Sequence, residues 1–323
     1  MQNANNQIFR NSSFSPARRL SSGIGVVVTG GPLSPERTEM GFKAIKSLGY
    51  TYSSPLSPSQ YYGDYSHGFA NGSVRERLKA ALDILGDDKF DVLLASRGAS
   101  GAYEIVPGFP YESFRNEKKL LIGQSDVTCL LVQMPGRAGI PAIHGSTLGA
   151  EFADYEKSIE ARESVDTLVK LISDPSYRYE LSGRQIKNGT SSEGYIIAGN
   201  LSMLVSLMGT PWDVCYGGSI LVLEEVGEAP FRVQRMLMQM LYGGKLGDLK
   251  GLCFGRFSRC ESKAGPTVND VIKGFVGENL QKFDYPILTD LPVGHWGKSL
   301  PLPVGCMAVV RDENLQVLES PIE

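Results

Sequence analysis

The sequence predicts an α/β protein with a parallel sheet in its first half and a mixed α/β second half. Two observations carry this expectation. From Ile24 onward, short apolar runs alternate with segments of helical period, the pattern of helices crossing over between parallel strands. The runs Asp91 to Ala95 and Leu120 to Gly123 each end in small or polar residues, where open α/β sheets place their binding crevices.

The elements follow in order. Ile24 to Thr29 reads as a strand, and Gly30, Gly31 and Pro32 turn the chain into a helix capped by Ser34 with Pro35 at its first position. Met40, Ala44, Ile45 and Leu48 mark that helix's buried face. Ser73 and Glu76 form a capping box, and Leu78, Ala81, Leu82 and Leu85 continue at helical spacing. The strands Asp91 to Ala95 and Leu120 to Gly123 single out the loops Ser96 to Gly101 and Gln124 to Asp126. Pro141 to Ile143 reads as a further strand and Phe152 to Ile172 as a more charged helix. Asp174 to Glu193 has little apolar period and several turn formers, which marks a boundary. Beyond it, Tyr195 to Ala198, Ser219 to Glu224 and Gly251 to Phe257 read as strands, Pro230 to Tyr242 and Val268 to Leu280 as helices, and Met307 to Leu318 as two strands around Asp312 and Glu313. The expected organisation is a disordered tail at 1–23, a first domain at 24–165, a linker at 166–193 and a second domain at 194–323.

Composition narrows the function classes. The chain of 323 residues is 42% hydrophobic, enough for a large core. Its 32 basic and 35 acidic groups leave a net charge of -3, so no global field favours nucleic acid or an anionic membrane. No apolar run approaches the roughly 20 residues of a membrane-spanning helix. The 5 cysteines show no CxxC spacing and their count is odd, which fits reduced thiols in a cytoplasmic protein, mostly serving as small core hydrophobes. Residues 1–23 contain Arg10, Arg18 and Arg19 and no acid, but lack the apolar segment of a secretory signal; a transit peptide is the alternative to a plain tail.

With only 3 histidines, His67, His144 and His295, a Ser-His mechanism has few bases to draw on. His67 lies in a Tyr- and Gly-rich loop that reads as a surface turn, and His144 follows a strand as a structural residue. His295 stands in a glycine-flanked loop, Pro-Val-Gly-His-Trp-Gly-Lys. Ser125 lies between a strand and an apolar helical segment, as in a nucleophile elbow; the competing reading is that it caps the following helix. Glu224 and Glu225 end an apolar run, and a carboxylate there can orient an imidazole. Glu225, on the opposite face, and Glu228 are expected to be solvated. A phosphate loop of the GxxxxGK[ST] type and an HExxH zinc helix are both absent from the sequence.

Arg97-Gly98-Ala99-Ser100-Gly101, Ile122-Gly123-Gln124-Ser125-Asp126, Ala198-Gly199-Asn200-Leu201, Leu223-Glu224-Glu225 with Pro230-Phe231-Arg232, and Pro292-Val293-Gly294-His295 together resemble the serine LD-carboxypeptidase family in order and spacing. The resemblance spans Ile24 to about Val310. The family includes muramoyltetrapeptide carboxypeptidases of murein recycling and microcin C immunity peptidases. The resemblance implies a catalytic triad of Ser125, Glu224 and His295, with the serine on a Rossmann-like first domain, the acid and base on a mixed second domain, and the active site in the cleft between them. It implies oxyanion donors from the backbone N–H of Asp126 and from the Gly98-Ala99 turn. It also implies homodimers, no metal or organic cofactor, and a murein peptide ending in D-alanine as substrate. Arg97, Asn200 and Arg232 are candidates for the substrate's carboxylate, although Arg232 is equally placed to pair with Glu228. Trp296 is the candidate for stacking a base in an immunity-type peptidase, the alternative reading; a non-catalytic peptide-binding protein is a second alternative. The chain departs from the family at Ala99-Ser100, where a second Gly and an aromatic are usual, and at Thr29-Gly30, where Pro-Ser is common. A methyl at Ala99 constrains a turn that elsewhere uses positive φ.

Overall fold

The apolar runs become the strands of two sheets in a computed structural model that describes residues 14–53, 69–295 and 297–323. The described residues form two units, one of those in 14–177 with 297–305 and 320–323, the other of 178–295 with 306–319.

In the first unit, β1 (Gly23–Val27), β2 (Thr51–Ser53), β3 (Val92–Ala95), β4 (Leu120–Gly123) and β5 (Ala142–His144) run parallel in the order β5-β4-β3-β1-β2. β12 (Leu302–Val304) adds an antiparallel edge beside β5. Every residue of β1, β3, β4 and β5 is buried, as a parallel sheet covered on both faces requires. Helix α1 (Pro35–Ser47) begins with the Ser34 cap and N-terminal Pro, and α2 (Val74–Leu85) with the Ser73/Glu76 capping box, both as the sequence predicts. The short helices α3 (Ala102–Ile105), α4 (Tyr111–Glu117) and α5 (Thr128–Leu131) lie between strands, and α6 (Ile159–Ser173) closes the unit's helical set.

In the second unit, β8 (Glu193–Asn200), β9 (Ser219–Val226), β10 (Gly251–Ser258) and β11 (Ile287–Thr289) are parallel. β13 (Met307–Arg311), β14 (Asn314–Val317) and β6 (Glu180–Ser182) extend the β8 side antiparallel, and β7 (Arg184–Lys187) extends the β11 side. Helices α7 (Leu201–Leu207), α8 (Pro230–Tyr242) and α9 (Val268–Asn279) accompany this sheet. A Thr267/Asp270 capping box starts α9.

Several expectations change. The stretch 166–193, read as a linker, holds the end of α6 and strands β6 and β7; short edge strands carry too few apolar residues to show a period. The helix expected from Phe152 starts at Ile159 behind its Ser158 cap, while Leu148–Phe152 forms a π-turn. Within the expected tail, residues 14–22 are packed rather than loose: Ala17 and Leu20 are buried, Ala17 bridges Ile322, and the Ser15 N–H donates to the Gly139 carbonyl. Residues 297–305 return to the first unit because Leu302 and Val304 add an apolar edge to β5. Cys129, Cys253, Cys260 and Cys306 are buried, and burial pushes the Cys253 thiol up to about 12 and the Cys260 thiol to about 11. No helix among the described residues is long and apolar enough to cross a membrane.

Lys119 is the polar anchor of the first sheet. It is 0% exposed, and its ammonium donates to the carbonyls of Leu85 at 2.6 Å and Asp87 at 2.9 Å. A cation there satisfies carbonyls at the C-terminus of α2 and complements the helix dipole. Lys119→Met, which keeps the bulk but removes the donors, is expected to lower stability by about 2–4 kcal/mol. Urea unfolding of the two proteins measures this, and equal midpoints would contradict it.

Candidate active site

β4 delivers Ser125 at its carboxyl end, followed by a 3₁₀ turn over Ser125–Val127 and then α5. Ser125 has φ 63°, a left-handed backbone that a non-glycine residue adopts only under local strain. From Lys119 to Pro135 every residue but Ser125 is buried. Neither the turn nor α5 has a side-chain cap bond at its start, so the capping reading of Ser125 does not hold. The geometry is that of an elbow: a strained residue presents its hydroxyl from a buried strand end.

The loop 97–101 lies against this elbow. A Cβ added to Gly98 would sit 2.6 Å from Ser125 Cβ and 3.1 Å from its Oγ, so only glycine admits that approach. The Gly98 carbonyl accepts from the Gly31 N–H at 3.2 Å, and Gly30 and Gly31 have no room for side chains beside the loop. Ala99 has φ 63°, the conformation in which the sequence expects its methyl to act as a constraint. Arg77, from the buried face of α2, donates to the carbonyls of Thr29 at 2.9 Å and Gly101 at 2.6 Å and pairs with Glu104.

Residues on both sides of Ser125 are pinned. The Gln124 amide donates to the buried Glu151 carboxylate at 3.2 Å, which also accepts the Thr147 N–H at 3.1 Å. Asp126 is 6% exposed, and its Oδ2 accepts the Ala102 N–H at 2.6 Å. Burial pushes its carboxyl up to about 6, against the opposing pull of the Ala102 N–H and the Arg77 charge.

In the second unit, β9 ends in two buried carboxylates of opposite direction. Glu224, 1% exposed, receives the His295 imidazole, with Nδ1 and Oε2 2.7 Å apart. A carboxylate partner requires Nδ1 to be the donor, and in the neutral ring Nε2 is then the acceptor. His295 arrives on a loop that follows β11 and lies over the end of β10. Val293 accepts from the Arg256 N–H at 2.7 Å, and the His295 carbonyl accepts from the Ser258 hydroxyl at 2.6 Å. The close approach depends on two glycines. A Cβ on Gly255 would lie 2.5 Å from the Val293 oxygen, and Gly294, at φ 124°, would put one 3.1 Å from Glu224 Cβ. An irregularity between Phe254 and Phe257 in the β9/β10 pairing accommodates the loop.

Glu225 corrects the expectation of a solvated acid. It is 1% exposed because β9 continues to Val226, and it accepts from the Asn200 amide at 2.8 Å and the Ser202 N–H at 2.7 Å. Asn200 is itself the N-cap of α7, receiving the Met203 N–H. Arg97 is exposed, and its Nη1 donates to the Pro32 carbonyl at 2.8 Å. Arg232 is exposed and faces Glu228 across an i, i+4 spacing at 3.5 Å. His144 is buried in β5. His67 and Trp296 lie outside the described residues. Sequence reasoning did not single out Arg77, Glu151 or Ser258. Arg77 left a signal: it shares the helical stripe of Ala80, Ala81 and Ile84, where an arginine needs buried partners.

Comparison with known proteins bears on this geometry. Residues 24–145 match the model of an LD-carboxypeptidase N-terminal domain, and residues 193–310 that of an LD-carboxypeptidase C-terminal domain. The murein tetrapeptide carboxypeptidase of Pseudomonas aeruginosa is 30% identical over 76% of this chain and 80% of its own. This chain belongs to the LD-carboxypeptidase family. It is therefore a serine-type hydrolase with a carboxypeptidase role. Two solved structures share the fold of this LD-carboxypeptidase. The muramoyltetrapeptide carboxypeptidase from Oxalobacter formigenes has TM-score 0.78 and 24% identity, covering 92% of this chain and 98% of that one. The microcin C7 self-immunity protein with aspartyl sulfamoyl adenosine has TM-score 0.83 and 18% identity, covering 96% and 100%.

The Asp126 carboxyl gives the LD-carboxypeptidase a pH signature. Its folded value of about 6 lies above the ordinary 3.8. Its contribution to stability is therefore fully present below the unfolded value and lost as pH rises through the folded one. Relative to Asp126→Asn, the unfolding free energy of the native chain is expected to fall by about 2–3 kcal/mol between roughly pH 4 and 6.5. Urea titrations across that range check it; a difference that does not change with pH would show an unshifted carboxyl.

Proposed function

We propose that the protein releases the terminal D-alanine from a murein tetrapeptide by an acyl-enzyme mechanism, with Ser125 as nucleophile, His295 as general base and Glu224 as the acid that orients it. The observation that carries the reading is the 2.7 Å bond between Glu224 and His295 Nδ1, which leaves Nε2 able to take a proton. The elbow backbone at Ser125 supports the nucleophile's role, and the Pseudomonas aeruginosa relative's name supports the substrate.

In this mechanism Ser125 Oγ attacks the carbonyl of the penultimate residue while His295 Nε2 accepts its proton. The tetrahedral oxyanion receives the backbone N–H of Asp126 and one from the Gly98-Ala99 turn. The imidazolium, stabilised by the buried Glu224 carboxylate, then protonates the departing amine of D-alanine. Water, deprotonated by the same imidazole, hydrolyses the acyl-serine. Arg97, whose Nη1 alone is engaged with Pro32, retains donors for the substrate's carboxylate. A second reading is hydrolysis of an aminoacyl-nucleotide amide, favoured by the fold's likeness to the microcin C7 self-immunity protein.

The test is mass spectrometry of L-Ala-γ-D-Glu-meso-diaminopimelyl-D-Ala incubated with the native chain and with Ser125→Ala. Loss of a single D-alanine with the native protein only is expected, with kcat reduced by about 10³-fold or more in the variant. An intact tetrapeptide beside turnover of an acyl-sulfamoyl adenylate would move the substrate to the second reading. Glu224→Gln is expected to keep the fold and lower kcat by a factor on the order of 10³–10⁴, because the imidazolium loses its counter-charge. Steady-state kinetics on the same tetrapeptide measures it, and a kcat within about threefold of native would remove Glu224 from the triad.

A further inference from the structure

Ser125 and the loop 97–101 approach each other too closely to be independent, and one of the contacts that fix the loop comes from the elbow itself. At its start, the loop is held by the Gly31 N–H donating to Gly98 O at 3.2 Å and by the Thr29 hydroxyl reaching Arg97 O at 3.4 Å. At its end, Gly101 O accepts from Arg77 at 2.6 Å and the Ala102 N–H donates to Asp126 Oδ2 at 2.6 Å. Within the loop Ala99 has φ 63° and Gly101 φ 132°, and the Ala99 conformation holds only when its surroundings determine it.

Asp126 is the one member of this set on the elbow itself. Its carboxyl is buried, so the group does not turn away to water at small cost, and when ionised it makes the bond to Ala102 charge-assisted. The Cys129 thiol donates to its carbonyl at 3.0 Å, fixing its backbone from α5. Arg77 from α2 and Glu104 from α3 are the charged groups around it, and they pair with each other.

We propose that the Asp126 carboxylate is a positioning residue for the oxyanion site: it binds the Ala102 N–H and thereby holds the Gly98-Ala99 turn against Ser125. One residue then supplies an oxyanion donor through its own backbone and aims the other through its side chain. This inference rests on the proposed mechanism and deepens it.

Asp126→Asn weakens the bond from the acceptor side. Ala102→Pro removes the donor at a first helical position, where proline's missing N–H is tolerated. Thermal unfolding first verifies that each variant is folded; kinetics on the tetrapeptide then separate kcat from KM, with Ser125→Ala as control. Each folded variant is expected to lose about 10- to 100-fold in kcat with KM within about threefold, since an oxyanion donor acts mainly in the transition state. The double variant is expected to be little worse than the single ones, because both act on the same bond. A folded Asp126→Asn or Ala102→Pro that keeps kcat, or a loss confined to KM, overturns the inference; if Asp126→Asn does not fold, Ala102→Pro decides. A native chain that turns over neither the tetrapeptide nor an acyl-sulfamoyl adenylate overturns the catalytic reading first, and the positioning role with it.

Discussion

A carboxylate that is 1% exposed must be matched by a strong donor, and in the second unit that constraint falls on Glu224. His295 meets it at 2.7 Å. The surrounding backbone reads as the consequence. Gly294 takes φ 124° so that the loop can pass the Glu224 side chain, Gly255 leaves room for the Val293 carbonyl, and Ser258 holds the His295 carbonyl. The sheet register yields between Phe254 and Phe257 in the same place. A side chain larger than hydrogen at position 255 or 294 forces movement of backbone or of Glu224. These glycines therefore belong to the site's support although they carry no chemistry.

The first unit meets a different constraint with the same means. A serine at φ 63° is unfavourable by itself, and it persists because its neighbours are tied on both sides, Gln124 to Glu151 and Asp126 to Ala102. Both ties use carboxylates more than nine-tenths buried. Burial raises the free energy of the ionised Asp126 carboxyl, so stability is given up where the elbow is held. That trade is common where geometry matters more than local stability.

Much of this was legible in the sequence. The caps at Ser34 and Ser73, the strand ends at Ala95 and Gly123, and the β13/β14 hairpin follow from period and turn chemistry alone. What escaped was set by tertiary partners. β6 and β7 are too short and too exposed to show alternation, and β12 joins the first sheet from a position late in the chain. Glu225 looked solvated because an acid beyond an apolar run usually is; it is buried because Asn200 and Ser202 lie across from it on β8 and α7. Nothing in the local sequence of Glu225 reports those partners.

Residues of the candidate site differ in legibility for a physical reason. Ser125 follows one apolar run and Glu224 ends another, and the glycines at 98 and 294 stand where backbone approaches exclude a Cβ. Arg97, Asn200 and Arg232 carry no such mark. Asn200 caps a helix and serves Glu225, Arg232 faces Glu228 on the surface, and Arg97 rests on a carbonyl with donors to spare. Approaches that exclude a Cβ admit only glycine, so the loops beside Ser125 and His295 leave a trace in residue types at fixed places. Recognition of a carboxylate needs only a flexible cation within reach, and any surface arginine satisfies the sequence equally well. The remaining donors of Arg97, beside the strained loop rather than on an open helix, make it the stronger of the two arginine candidates.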